Sequence, residues 1–490
     1  MSNLSDLLPA GGSGKTVEMV ASGALSNGDK VVLQSDGTVE VVSAIADIIP
    51  LGSSAVFNTS TNYHTGVAFD PSDVNKFVIG YRDEGNSGYG TLVVGTISSN
   101  TISFGSPVVF VSAMAMVPSV AFDPNTAGKF VMSCSVGSIG KVVIGSYSGT
   151  TITVSSTTTF ESQASVDETQ IAFDPNTANR VVVAWSRTLS AVWISACKVG
   201  TISGTTISFG AQANFSTRSA YVRLSFDPNT SGKFVVGYSN VDNGRYGTVS
   251  VGTISGTTIT YGTAAIFNSA TIYYEDVAFN PNTANQFVVV YRNTGNSSYG
   301  EAKIGTVSGT SISYNSATVF NTGTTNNIYV DFASNISNAF VISYIDSGNS
   351  GYGTAITGSL VGASLSFNTE AVFKSALTAY SEMSTTSDGR FIIVFQDVSN
   401  LGYGTAQLGQ MGQTNLTSTN FVGISEGAFA DTATATVMLR GGITTTQSSL
   451  TTGSKYYVQG DGTLSTTPDS PSVTAGKALS ATALLIGGSS

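Results

Sequence analysis

The sequence predicts an all-β fold: a seven-bladed β-propeller with four-stranded blades, inserted into a small β-domain formed by the N- and C-terminal segments. Three observations carry the prediction. One motif recurs along most of the chain, helical periodicity is absent, and the two ends contain matching hairpin sequences. The motif "VAFDPSDVNKFVIGYRD" at 67–83 returns as "VAFDPNTAGKFVMSCSV" at 120–136 and "IAFDPNTANRVVVAWSR" at 171–187. "LSFDPNTSGKFVVGYSN" at 224–240, "VAFNPNTANQFVVVYRN" at 277–293 and "VDFASNISNAFVISYID" at 330–346 follow, with a worn copy, "EMSTTSDGRFIIVFQDV", at 382–398. The position of Phe69 thus recurs at Phe122, Phe173, Phe226, Phe279, Phe332 and Met383, in steps of 51 or 53 residues.

Each unit reads as four short strands. The first is "GVAF". A turn such as "DPNTAGK" follows, with Asp at its first position and Pro at its second, a type I signature. The second strand, "KFVIGYR", is nearly all apolar and so is expected to be buried on both faces. The third is "YGTLVVGTI". The turn "SGTT" or a relative leads to the fourth, "ISFGSPVVF". Four strands in a unit of this length are a propeller blade, and the copies place the propeller at 51–421. Closure is left open. Both "SSAVFN" at 53–58 and "STNFVG" at 418–423 resemble the end of a fourth strand, and the sequence does not say which completes the last blade.

The second similarity joins the ends. "LSNGDKVVLQSDGTVEV" at 25–41 matches "LTTGSKYYVQGDGTLST" at 450–466. Asp36-Gly37 and Asp461-Gly462 lie between alternating apolar residues, a hairpin signal. A lone hairpin is marginal in water, so 19–48 with 422–490 is expected to form one composite β-domain for anchoring or oligomerisation.

Composition narrows the function classes. Charged residues are 10% of the chain, yet no apolar run is long enough for a membrane helix. The surface is therefore rich in Ser, Thr, Asn and Gly. A net charge of −10 with only 20 Lys+Arg argues against nucleic acid as a partner. "MSNLSDLLPAGG" lacks the basic and apolar regions of a signal peptide. Cys134 and Cys197 make neither a disulfide framework nor a zinc spacing and read as buried free thiols. The stretch "GGSGKT" at 11–16 suggests a P-loop, but the first glycine of that motif falls on Pro9, and neither a strand before nor a helix after is present. Residues 1–18 read instead as a flexible Gly/Ser leader, whose docking role is what the resemblance below implies.

The flanking segments "MSNLSDLLPAGGSGK", "GALSNGDKVVLQSDGTVEVV", "GISEGAFADTATATV" and "LTTGSKYYVQGDGTLSTT" resemble those of tail-fibre and other virion structural proteins of bacteriophages, notably phages of marine bacteria. The repeats "GNSGYGT" and "VGTISGTTISFG" resemble repeats in such proteins as well. The resemblance implies a structural or adhesive role on a virion, made in the host cytoplasm. Its implied partners are other virion proteins, through the leader and the composite domain. It also implies a homo-oligomer, for which a trimer is the expectation. It transfers no catalytic residue, metal or cofactor.

Within a blade, the loop entering the first strand and the loop after the second lie on one face of the disc. The loops entering the first strand differ in every blade, from "NTSTNYHTG" to "STRSAYVR" to "KSALTAYSE", while the "DPNT" and "SGTT" turns of the other face stay uniform. The variable face carries Tyr63, His64, Tyr221, Tyr273, Tyr274, Tyr329 and Tyr380, with Asn62, Asn326 and Asn327. Flat phenols and amides suit neutral polar ligands, and host surface glycans are the expected class. These tyrosines could equally cap strand ends around the channel. The loop "GNSGYG" at 85–90, with variants at 295–300 and 348–353, reads as a turn needing positive φ. Asp70, Asp123, Asp174 and Asp227 are single carboxylates of proline turns without calcium spacing. Three functions remain: a non-enzymatic fibre or spike, a purely architectural head or tail protein, and a polysaccharide-cleaving propeller. The last would need paired carboxylates, for which Asp167, Glu168, Glu275 and Asp276 are the candidates.

Overall fold

The computed structural model describes residues 15–34, 36–42, 49–163, 165–189, 192–336, 338–361, 364–411, 415–460, 462–468 and 472–487. The chain divides into two compact units, residues 47–411 and residues 1–46 with 412–490. Most of the expected docking leader, together with Pro9 and Asp461, lies outside the described residues. Its last residues are a strand: Thr16–Val20 pairs antiparallel with Thr434–Leu439, a β-ladder where a P-loop would require a helix.

Residues 47–411 form a closed β-propeller. The innermost strands of its successive blades are 62–70, 114–122, Val166–Phe173, Ser219–Phe226, 271–279, Thr325–Phe332 and 378–385. Each pairs with a second strand that pairs in turn with a third, as Asn62–Asp70 does with Asp73–Asp83 and that with Tyr89–Ser98. Except in the last blade, the fourth strand is broken in two. In the first blade Thr101–Phe104 and then Val108–Val111 pair with the third strand, on either side of a kink at Gly105.

The core lies between blades. Second strands are buried on both faces, so alternate residues feed different clusters. Phe77 and Ile79 pack with Ile392 and Val394 of the last blade, whereas Val78 packs with Val120 and Met132 of the next. The same sharing runs through every neighbouring pair and closes the ring. Third strands need glycine at two places. A Cβ at Gly95 would enter the ring of Phe77, and one at Gly90 would enter the ring of Phe110. These close approaches explain the recurring "YG" and "VGT".

The closure question has a direct answer. Residues 49–58 pair with Tyr403–Gln410 and supply the fourth strand of the last blade. Phe57 stacks over Gly404 as Phe110 does over Gly90. The other candidate, 418–423, is not a propeller strand. Phe421–Ser425 pairs with Lys30–Val32 and Thr434–Leu439 in the flanking unit, so the propeller ends at 411 rather than 421.

The flanking unit contains two five-stranded sheets. The first has the order Thr16–Val20, Thr434–Leu439, Phe421–Ser425, Lys30–Leu33, Val39–Val41. The second has the order Ile443–Thr444, Leu484–Ile486, Val473–Ala478, Lys455–Val458, Leu464–Ser465. The matching hairpins therefore do not pair with each other; each occupies the same edge of its own sheet. The hydrogen bonds match as well. Gly28 N donates to Ser425 O and Gly453 N to Ala478 O; Ser425 N donates to Asp29 O and Ala478 N to Ser454 O. The unit is a duplication, and the propeller interrupts its first copy between the third and fourth strands. Val32, Phe421 and Ile424 of one sheet share a core with Tyr456, Val458, Leu484 and Ile486 of the other.

Candidate binding face at the mouth of the central channel

At one register near the start of each innermost strand, the ladder slips. The irregularity lies between Tyr63 and Thr65, Met116 and Ser119, Val166 and Glu168, Ala220 and Arg223, Tyr273 and Asp276, Asn326 and Tyr329, and Ala379 and Glu382. Six blades hold a non-glycine residue in the left-handed region there: His64, Val117, Tyr221, Tyr274, Asn327 and Tyr380, with φ between 45° and 57°. Bulges of this kind bend a strand and re-aim side chains. Here His64, Val117, Asn327 and Tyr380 line the channel cavity, while Tyr274 packs against a buried cluster.

The structure sorts the seven expected site residues into three groups. Tyr63, His64 and Tyr380 form one: Tyr380 lies 5.3 Å from Tyr63 and 5.2 Å from His64. Arg82 lies over Tyr63, and burial, followed by Arg82, lowers the pKa of His64. Tyr221, Tyr273 and Tyr274 form the second, with centroids 5.1–6.4 Å apart. Burial pushes the Tyr221 phenol up to about 12. Tyr329 makes the third, with Arg223 5.3 Å above its ring, and shares a cavity wall with His64 and Tyr380. Of the amides, Asn327 lines the channel, and Asn326 accepts from Arg292. Asn62 is fully buried and faces no ligand space.

The channel holds a cavity of ≈ 130 Å³ whose wall includes His64, Glu168, Arg223, Tyr329, Tyr380 and Glu382. Arg223 lies 3.7 Å from Asp276. Burial opposes its charge, but Tyr329, Asp276, Glu168 and Glu382 hold it protonated. Burial pushes Glu382 up to about 8 and Asp276 up to about 6, against the pull of Arg223.

Of the carboxylates considered as a catalytic pair, Glu168, Glu275 and Asp276 gather around Arg223, and two of them hold neighbouring strands together. Glu168 accepts from Val222 N at 2.7 Å and Asp276 from Val330 N at 2.9 Å, so each ties its innermost strand to the next blade. Glu275 is fully buried, and burial raises its pKa strongly. Asp167 is exposed. The "GNSGYG" loop is a single 3-10 turn, Glu84–Asn86, capped by Asp83, with Ser87 and Gly88 left-handed. The same turn recurs at Thr294–Asn296 and Ser347–Asn349. It is also present at Val241–Asn243 and Val398–Asn400, where the sequence had diverged too far to be matched.

Sequence reading missed the arginines of this face. Arg218 lies 4.4 Å over Trp193, Arg245 5.3 Å over Tyr273, and Arg292 over both Tyr273 and Tyr274. The signal was present: Arg218 and Arg223 both sit in the variable stretch "STRSAYVR".

The fold defines the class, a β-propeller. No protein-family model matches the chain, and no curated protein matches it. Similar solved structures include Sqt1 of Saccharomyces cerevisiae, 10% identical with a TM-score of 0.46, covering 74% of this chain and 99% of that one. Sqt1 of Chaetomium thermophilum is 10% identical with a TM-score of 0.47, covering 73% and 98%. The Dos1 propeller is 11% identical with a TM-score of 0.48, covering 74% and 95%. These likenesses concern the fold alone.

Proposed function

We propose that the chain is a non-enzymatic structural protein of a bacteriophage virion, a tail-fibre or spike subunit whose propeller recognises host surface glycans at the channel mouth. One observation carries the recognition part. Six non-glycine residues at one register of the innermost strands sit in the left-handed region, and four of them are aromatic or imidazole rings. Such strain concentrates at ligand clamps, where the surrounding fold over-determines it. Phenol rings add apolar area with a polar tip, which suits sugar rings. The virion assignment rests on the resemblance of the two ends. In this reading the flanking unit anchors the subunit to other virion proteins or to copies of itself.

The duplicated flanking unit favours a second reading, a head or tail decoration protein with no ligand. A polysaccharide-cleaving propeller is a third: Glu382, with its pKa near 8, could hold a proton for a leaving group. Locating the subunit on particles by electron microscopy, together with host-cell binding by the full-length protein, separates these. A tail-tip position with saturable binding and no release of reducing ends is expected. A head position without binding would replace the proposal by the architectural reading, and released reducing ends would replace it by the enzymatic one.

A further inference from the structure

Among the described residues, Arg82, Arg180, Arg187, Arg223 and Arg390 of the propeller each meet a carboxylate. Arg218, Arg245 and Arg292 have no carboxylate in ion-pair range. All three lie on the mouth face, on neighbouring elements of the third to fifth blades. Val241 N donates to Arg218 O at 3.1 Å, joining Arg218 to the turn that precedes Arg245, and Ile272 N donates to Arg245 O at 3.0 Å, beside Tyr273.

The guanidinium groups are held by aromatic rings, and that of Arg292 also by the Asn326 amide oxygen, instead of by acids. Tyr273 has Arg245 at 5.3 Å and Arg292 at 4.5 Å. Arg218 stacks on Trp193 at 4.4 Å. The Nε atoms of Arg218 and Arg292 are buried without a hydrogen-bond partner. Of the acids beside this patch, Asp242 accepts from the Thr217 hydroxyl at 2.6 Å, Glu168 accepts from Val222 N at 2.7 Å, and Glu275 is fully buried. Arg245 and Arg292, two cations without an ion pair set on one tyrosine ring, repel one another. Stacked guanidinium groups are weakly hydrated and present planar donors matched to carboxylate, sulfate or phosphate oxygens. The tyrosine and tryptophan rings beside them supply apolar faces.

From this arrangement we infer that the third-to-fifth-blade arc of the mouth binds an acidic glycan, a polysaccharide carrying carboxylate or sulfate groups. The inference rests on the reading of this face as a glycan-recognition surface and sharpens its ligand from neutral to anionic. The arginines engage the acid groups, and Trp193, Tyr221, Tyr273 and Tyr274 pack the sugar rings between them.

The test is binding of the full-length protein to an immobilised polyuronate, a sulfated galactan, neutral dextran and a single-stranded oligonucleotide, at low and high salt. Binding to at least one acidic glycan is expected, weakened by salt and at least about tenfold weaker to dextran. The double variant R245Q/R292Q should lose about tenfold or more of that affinity. R390Q, on the opposite face, should bind as wild type does. Melting temperatures check that the variants fold, and if R292Q is unstable, R245Q alone decides, because Arg245 lies in a surface turn. Dextran bound as tightly as the acidic glycans, with no effect of the arginine variants, overturns this inference and leaves glycan recognition standing. Oligonucleotide bound as tightly as glycan overturns the ligand class. No binding to any polysaccharide overturns both.

Discussion

The two faces of the propeller are made from the same repeats, yet they hold their turns by different means. On the uniform face the first residue of three proline turns, Asp70, Asp227 and Asn280, is shared between blades, whereas Asp123 and Asp174 meet Lys129 and Arg180 of their own blade. Asp227 is fully buried; its Oδ1 accepts from Asn229 N within the turn, and its Oδ2 accepts from Asn285 N of the next blade. Asp70 does the same for Ser72 and Gly128. Asn229 then donates from its side chain to Pro281 O of the next blade. On the mouth face Glu168 and Asp276 also tie neighbouring blades, but the variable side chains are held by rings stacking on rings and on guanidinium groups, and backbone strain is tolerated. A residue that serves two blades through directional hydrogen bonds cannot drift. Stacking contacts are less directional and permit each blade its own side chains. Sequence uniformity on one face and variety on the other follow from that difference.

The comparison breaks most visibly at Asp227. D227A leaves two backbone N–H donors without their acceptor in a buried turn. It should lower unfolding stability by about 2–3 kcal/mol, read by denaturant titration, with ligand binding unchanged. A loss as small as that of an ordinary surface substitution would mean the turns are not the ties between blades.

Inside the channel, the effect should depend on pH. In the unfolded chain the Glu382 carboxyl ionises near about 4.3; in the fold it keeps its proton up to about 8. Between those values the folded state binds more protons, so stability falls as pH rises. E382Q removes this titration. Its melting temperature should fall less than the wild type's from about pH 5 to about pH 8. Parallel pH profiles would place the Glu382 carboxyl in ordinary solvent.

The smallest expected effect tests the strain. Val117, a β-branched residue at φ 46°, is costly in the left-handed region. V117N should raise stability by about 1 kcal/mol, because Asn accepts that conformation more readily. An unchanged or lowered stability would show that the valine side chain offsets its own strain through contacts.

Much of this architecture was legible in the chain. The repeating Phe positions, the proline turns and the buried second strands follow from local chemistry and a period of two, so strand existence and order could be read directly. The roles of "YG" and "VGT" could not. Gly90 and Gly95 are required by rings of Phe110 and Phe77, which approach only when the sheet is assembled. Two of the four carboxylates considered for catalysis, Glu168 and Asp276, act as ties to the next blade, a use that becomes visible only when neighbouring innermost strands are set side by side. The diverged turns at Val241–Asn243 and Val398–Asn400 keep their geometry with Gly244 and Leu401 left-handed, since backbone hydrogen bonds rather than side-chain identity define them.

By itself, then, the sequence determined an all-β chain of repeated four-strand units with matching ends, because alternation, turn chemistry and repetition are local properties. Tertiary structure alone decided which strand closes the ring and that the matching hairpins belong to separate sheets. It also decided that unpaired arginines gather with tyrosines at one arc of the mouth. Each of those outcomes depends on pairing between segments far apart in the chain, where several partners are chemically equivalent and only assembly selects one.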